Sequence, residues 1–330
     1  MTSESAPSIG TVEMSFDPVG NRVRRILPET ICRGGDLVPA LLNANMFAEK
    51  HGATRSIVRA LVPNDLLQES ALLAGTARWG IEAAVPLTGR FSGMSFVYYT
   101  RNREGRFSSS QTVSGELSLL DGVMARSAKN VDEILRQTKA GGWSLEFLDN
   151  SLSESDMERL AQMYASSFKS YPFNIAQAIS GMVTDPNVHV CVARSESDGL
   201  LYAVSATELV TLPSSGFVMR EMGDSAKMPG VNGLNAPLKI MLIAESFRRD
   251  SRIDLIFCET RAALGAVNAI NHSIGMRWCG MLPKHTVISG PSDVDEVALD
   301  GRNGVYGNMN VWALSEKQIR SISSLTEVVQ

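Results

Sequence analysis

The chain has 330 residues, 44% hydrophobic and 20% charged, which is the make-up of an ordinary water-soluble globular protein of one or two domains. Its formal net charge of −4 speaks against a binder of phosphate backbones, because such domains are usually basic, so nucleic acid is not expected as a partner. No apolar run approaches the roughly 20 residues of a membrane span, and the opening MTSESAPSIG lacks the basic and apolar segments of a secretory signal, so no membrane association and a cytoplasmic location are the expectations.

The first 35 residues carry no readable pattern. A helical period follows over residues 37–50, with Leu37, Leu41, Leu42, Met46 and Phe47 on one side. TRSIVRALV (54–62) reads as a strand, Pro63-Asn64-Asp65 as a helix start, and LLQESALLAGTARWG (66–80) as the helix. IEAAVPL (81–87) and GMSFVYYT (93–100) close this stretch as strands. The polar, serine-rich RNREGRFSSSQTVSGEL reads as a surface linker. After it, a helix-like segment ends at the glycine pair 141–142, a C-cap signal.

The second half opens on the strand WSLEFLDN (143–150). Ser151 or Ser153 can cap the helix MERLAQMYASSFKSY, whose Leu160, Met163, Tyr164 and Phe168 share a face. A short helix to Met182 and the turn Asp185-Pro186-Asn187 lead to two strands, VHVCVAR (188–194) and LLYAVSATELV (200–210), joined by a hairpin turn. A third strand, GFVMREMGDS (216–225), enters the loop AKMPGVNGLN. The helix PLKIMLIAESFRRD (237–250), the strand DLIFCET (254–260), an Ala-rich helix (261–276) and the strands RWCGMLPKHTVISG (277–290) and NMNVWAL (308–314) complete the order. The halves echo one another: HGATRSIVRALV, an Ala-rich helix, RWGIEAAVPL and an apolar strand match RDSRIDLIFCET, an Ala-rich helix, GMRWCGMLP and NMNVWAL. The expected division is therefore a degenerate α/β half-domain (1–100), a linker and connecting helix (101–142) and a complete α/β domain (143–330). Cys32, Cys191, Cys258 and Cys279 are far apart, and neither they nor the four histidines show metal-ligand spacing, so structural thiols and no metal are expected.

The order of the second half resembles the GNAT superfamily of N-acetyltransferases. Tyr171-Pro172-Phe173, AVSATE (203–208), Glu221-Met222 with Asp224, Thr260-Arg261-Ala262 and Asn308–Trp312 look most similar to the β-lysine N-acetyltransferases within it, as do Pro63-Asn64 and IEAAVPLTGRFSG in the first half. The resemblance implies an α/β GNAT-fold mixed sheet whose central strands, 216–225 and 253–259, splay apart, preceded by a half-GNAT-like N-terminal domain. Backbone groups freed by the splay would pair with the amides of a pantetheine arm, and the next helix would point its N-terminus at a pyrophosphate. Acetyl-CoA or another acyl-CoA is then the co-substrate, held by Ala226, Met228, Asn232, Gly233, Leu234, Asn235 and Asn268.

One loop departs from the family's pattern of (Gln/Arg)-x-x-Gly-x-(Gly/Ala): this chain has Asn232-Gly233-Leu234-Asn235-Ala236-Pro237. Asn235 can hold a glycine-like turn or cap the helix. Pro237 removes a backbone donor, a loss of about 1.5–3 kcal/mol against a charged group, or roughly ten- to hundred-fold in affinity.

Acylating an amine needs a base for the nucleophile's proton and donors near the thioester carbonyl. The resemblance assigns the base or the ammonium anchor to Glu221 or Asp224, which a regular strand would turn to opposite faces unless Gly223 bulges. Asn271 stands where many members have a tyrosine acid, so His272 or Tyr306 would have to substitute. Tyr171, Phe173 and His285 are expected to contact the acceptor. The expected function is N-acylation of a small amino-acid-like amine, most simply from acetyl-CoA. The alternatives are a carrier-protein thioester or aminoacyl-tRNA donor, docking near Arg101, Arg103 and Arg106 or near Arg248 and Arg249, and a non-catalytic interaction protein on the same scaffold.

Overall fold

The computed structural model describes residues 14–17, 21–31, 33–103, 106–127, 130–148, 152–167, 176–223, 225–288 and 305–326. Two strands, β1 (Ser15–Asp17) and β2 (Arg22–Thr30), lie in the stretch where the sequence gives no pattern. The helix α1 (Gly34–His51) buries Leu37, Leu41, Ala44 and Ala48 at helical spacing and stops at Gly52, whose φ of 64° lets its N–H reach back to Ala48 and Glu49. Then come β3 (Arg55–Pro63), α2 (Leu67–Thr76), β4 (Gly80–Pro86) and β5 (Met94–Asn102). In β3 Ile57 and Leu61 face one core while Val58, Ala60 and Val62 face another, the mark of a strand covered on both sides.

The serine-rich segment is only partly a linker. Ser109 accepts the Thr112 N–H at 3.1 Å and opens α3 (Ser110–Met124), so residues 110–118 are helical. A second helix, α4 (Val131–Ala140), ends at Gly141. β6 (Trp143–Phe147) follows, then α5 (Glu154–Ser167), capped by Ser153 through the Asp156 N–H, and α6 (Ala176–Thr184). β7 (Val188–Ser195), β8 (Leu201–Leu212), β9 (Phe217–Met222) and the two-residue β10 (Ala226–Lys227) precede α7 (Asn235–Arg249). The chain continues through β11 (Leu255–Arg261), α8 (Gly265–Ser273), β12 (Arg277–Ile288), β13 (Val305–Ser315) and a helix absent from the sequence reading, α9 (Glu316–Thr326). Among the described residues no helix is long and apolar enough to cross a membrane.

All strands join one mixed sheet in the order β1-β2-β3-β5-β4-β12-β13-β11-β9-β8-β7-β6, with β10 attached to β8. The layout echo is present in the connectivity. β2, β3, β5 and β4 neighbour one another in the same order as β9, β11, β13 and β12, the first pair parallel and the rest antiparallel in both sets. Among the described residues the two sets meet at a single backbone pair, Gly280 with Ala83. Gly280 has φ of 146°, and a Cβ there would lie 2.5 Å from the Glu82 carbonyl oxygen, so the seam requires glycine. The sheet folds over onto itself, since Ile57, Phe96 and Tyr98 of the first set share a core with Phe217, Met219 and Phe257 of the second. Arg90 clamps that core's apolar end from the first half, its Nε 2.6 Å from Asp254 Oδ1 and a second nitrogen 2.7 Å from Oδ2. The expected fold class, a mixed α/β sheet with parting central strands and a half-sized echo before it, stands.

Candidate active site

The parallel strands β9 and β11 stay together for four residue pairs, from Met219–Leu255 to Met222–Cys258. Beyond that they part. Gly223 donates to the Ala206 carbonyl at 2.9 Å, and Ala226 and Lys227 pair with Val204 and Ala203 on β8. Glu259, Thr260 and Arg261 instead follow Val311, Asn310 and Met309 on β13. From Met222 to Ala226 the chain advances one residue more than β8 does from Thr207 to Val204, so the ladder carries an extra residue between them. The result is a V-shaped slot in the sheet, and Met228 continues its β8 wall with an N–H to the Tyr202 carbonyl at 2.9 Å.

The loop at the slot's far end differs from both readings of Asn235. Positive φ falls on Gly230 (83°) and Gly233 (84°) rather than on Asn235, Leu234 occupies the cap position of α7, and the buried Oδ1 of Asn235 has no hydrogen-bond partner among the described residues. Asn232 Oδ1 accepts from Lys227 Nζ at 2.7 Å. Pro237 is buried in the first turn of α7.

On the slot's inner face, Glu221 ends the inward row Phe217, Met219, Glu221 and is 5% exposed. Its Oε2 accepts from Arg59 of β3, in the other half of the molecule, at 2.9 Å. The same guanidinium lies 4.0 Å from Glu259 Oε1 and faces the rings of Tyr98 and Phe257. Glu259 Oε2 is 2.8 Å from His285 Nε2, while Arg55, paired with Glu82 and Asn102, lies 3.4 Å from His285 Nδ1. Arg22, paired with Asp17 at 2.8 Å, donates to the His285 carbonyl at 3.1 Å. His285 is turned inward by an irregular stretch of β12, where Lys284 takes φ of 46° and is pinned by Arg106 at its carbonyl and by Asn308 at its N–H.

Burial pushes the Glu221 carboxyl up, Arg59 pulls it back and Glu259 raises it again, leaving it at about 7. Burial also opposes the charge of Glu259, but His285, Arg59 and Arg22 outweigh it and hold that carboxyl well below its usual range. Burial, with Arg22 and Arg55, overcomes the pull of Glu259 and lowers His285 to about 3, so the imidazole is neutral at pH 7. Burial works against the Arg59 charge too, yet the carboxylates around it raise its pKa above the ordinary arginine value.

The structure brings Glu221 and His285 to one charged cluster through Arg59 and Glu259, and engages Asn268, His272 and Tyr306 elsewhere. Asn268 was expected on the co-substrate, but its Nδ2 donates to the carbonyls of Arg261 (2.8 Å) and Leu264 (2.9 Å), and its Oδ1 accepts from Asn310 (3.0 Å) and Trp312 (2.8 Å). No donor or acceptor is left for a ligand. His272 Nε2 is 2.9 Å from the Arg126 carbonyl, away from the slot, and Tyr306 lies under the Arg106 guanidinium, 3.3 Å from its ring centre. Asp224, Tyr171, Phe173 and Cys32 fall outside the described residues. Of the arginines expected to form docking patches, Arg106 is wholly buried, and Arg248 and Arg249 both bind Glu245.

A group missed by the sequence reading occupies the slot's other face, between α7 and α8. Lys239 is 4% exposed; its Nζ donates to Asn271 Oδ1 at 2.7 Å and lies 4.0 Å from Cys258 Sγ. Asn271 Nδ2 in turn donates to Thr260 Oγ1 at 2.8 Å. The signal was present: Leu238, Ile240, Met241, Leu242 and Ile243 leave no polar face on this helix for a solvated lysine. Among the described residues no cluster of potential metal ligands occurs.

No family model matches this chain, and no curated protein matches it. Among solved structures it is similar to an N-acetyltransferase from Staphylococcus aureus Mu50, with 8% identity over 53% of this chain and 98% of that one and a TM-score of 0.40. It is also similar to mutant forms of the spermidine/spermine N-acetyltransferase SpeG from Vibrio cholerae (12% identity, 56% and 99% covered, TM-score 0.42). A third is Arabidopsis thaliana NAA60 in complex with acetyl-CoA (14% identity, 52% and 98% covered, TM-score 0.39).

Proposed function

We propose that this chain is an N-acyltransferase of the GNAT type, most simply one that moves an acetyl group from acetyl-CoA to the amine of a small amino-acid-like acceptor in the cytoplasm. In this reading residues 143–330 are the transferase domain, 1–100 a degenerate half-domain that covers it, and 101–142 the connection, and the chain is related to the β-lysine N-acetyltransferases. The observation that carries the reading is the parting of β9 and β11 directly beyond Met222 and Cys258, with Glu221 at the parting. Unpaired strand edges in a slot suit the amides of a pantetheine arm. A carboxyl at about 7 suits a base that must take a proton from an amine near neutral pH. The acceptor nitrogen would approach from the inner face, where Arg59, Glu259 and His285 surround Glu221.

Isothermal titration with acetyl-CoA tests the donor site, and release of free thiol in the presence of a panel of amino acids and diamines tests the transfer. Saturable heat and amine-dependent thiol release are expected. No heat and no thermal shift at millimolar acetyl-CoA overturn the reading.

A further inference from the structure

We infer that Lys239 is the residue that gives a proton to the departing thiolate, with Asn271 aiming it; this rests on the acyltransferase reading above. The slot has two faces. Glu221 stands on the inner one, while Cys258 and Thr260 turn toward the helices on the outer one. Cys258 is the last residue of β11 that pairs with β9, and Thr260 lies past the parting. Lys239 Nζ therefore sits over the point where the slot begins, 4.0 Å from the Cys258 sulfur and 2.7 Å from an Asn271 amide oxygen that is itself fixed through Thr260. A thioester threaded through the slot with its acyl carbon toward Glu221 presents its sulfur to this lysine.

The lysine is otherwise unexplained. A lysine carries three donors, and among the described residues Nζ has no partner beyond Asn271 Oδ1 and the Cys258 sulfur, and no carboxylate. A buried cation without a counter-charge is costly, and an apolar side chain of similar length would sit there at less cost. The transfer reaction creates the missing counter-charge. As the acceptor nitrogen bonds to the acyl carbon, the carbon–sulfur bond breaks and its electron pair passes to sulfur. A proton from Nζ converts that thiolate to thiol, and solvent water returns a proton to the amine. The proton lost by the acceptor nitrogen goes to Glu221 and from there to solvent. No further reactant is required. The other candidates are occupied elsewhere: His272 at the Arg126 carbonyl and Tyr306 beneath Arg106.

The test compares the full-length protein with Lys239→Gln, which keeps an amide donor for Asn271 but cannot release a proton. Each is assayed with acetyl-CoA and with an acetyl aryl thioester, whose thiolate leaves unaided, using the same primary amines. Lys239→Gln is expected to slow turnover of acetyl-CoA roughly 100-fold and of the aryl thioester less than about three-fold. An equal loss with both donors makes Lys239 a structural residue and overturns the assignment. Should the variant not fold, a series of acetyl thioesters of graded thiol basicity is run on the unaltered protein. Rates nearly independent of thiol basicity are expected, and a steep fall with rising basicity overturns the assignment. Absence of amine-dependent turnover of either donor by the unaltered protein removes the acyltransferase reading itself, a distinct result.

Discussion

The parallel pairs β2–β3 and β9–β11 hold equivalent places in the two halves, yet only one of them opens. β2 follows β3 from Arg22–Arg55 through Ile26–Arg59 and rejoins it at Thr30–Leu61, after which Ile31 still donates to the Leu61 carbonyl at 2.9 Å. β9 abandons β11 after four pairs. The difference shows how one layout yields an open slot in one place and a closed pair in the other. The closed pair spends its inward side chains on the open one. In the aligned registers Glu221 lies beside Phe257, and Ile26 beside Arg59. Folding the sheet over sets the carboxylate of one half against the guanidinium of the other.

Four measurements would break or sharpen this contrast. The largest effect is expected from Glu221→Gln, which should lower amine-dependent thiol release roughly 100- to 10,000-fold. Unchanged rates would leave the open pair without chemistry. Arg59→Met removes the closed pair's contribution. Stranding a buried carboxylate should cost about 3–5 kcal/mol in urea unfolding. Arg59 lowers the Glu221 pKa, so the acidic limb of the rate profile, near 7 in the parent, should move to more alkaline pH; a limb that stays put would show that Glu221 is not the titrating base. Gly280→Val forces a side chain into the Glu82 carbonyl at the seam and should destabilise by about 1–3 kcal/mol by overpacking. The smallest functional effect belongs to Asn268→Ala. It should cost about 1–3 kcal/mol of stability from unpaired neighbours with no change in affinity for acetyl-CoA, and a weakened affinity instead would restore Asn268 to the donor site.

Much of the architecture was legible because its strands and helices keep apolar periods that reveal their faces. The exceptions are instructive. β2 hides because its inward row begins with Arg22 and Arg24 and it contains Pro28, so the alternation that marks a strand is masked by charges directed into the polar end of the interior. The start of α3 hides because its first turns are polar; only Leu120 and Val123, further along, are buried. α9 buries Ile319 and Ile322, but Ile319, Ile322 and Leu325 are its apolar residues and the rest is polar. At the candidate site, Glu221 was named through the resemblance. Arg59 and Lys239 were not, although each interrupts an apolar run, and a charged residue flanked on all sides by buried positions must itself be buried. Asn268 misled because an amide's address in the chain does not disclose whether its four hydrogen-bonding positions are already filled.

Among the described residues the seam between the halves is one backbone pair wide, Gly280 with Ala83. Hydrogen-bonded cloth therefore does little to hold the two leaves shut; Arg90 on Asp254 at one end and Arg59 on Glu221 at the other act as the buttons. Undoing the second button would break the buried pair that joins the leaves, so any group bringing its own positive charge to Glu221 competes with the fastening that keeps them together.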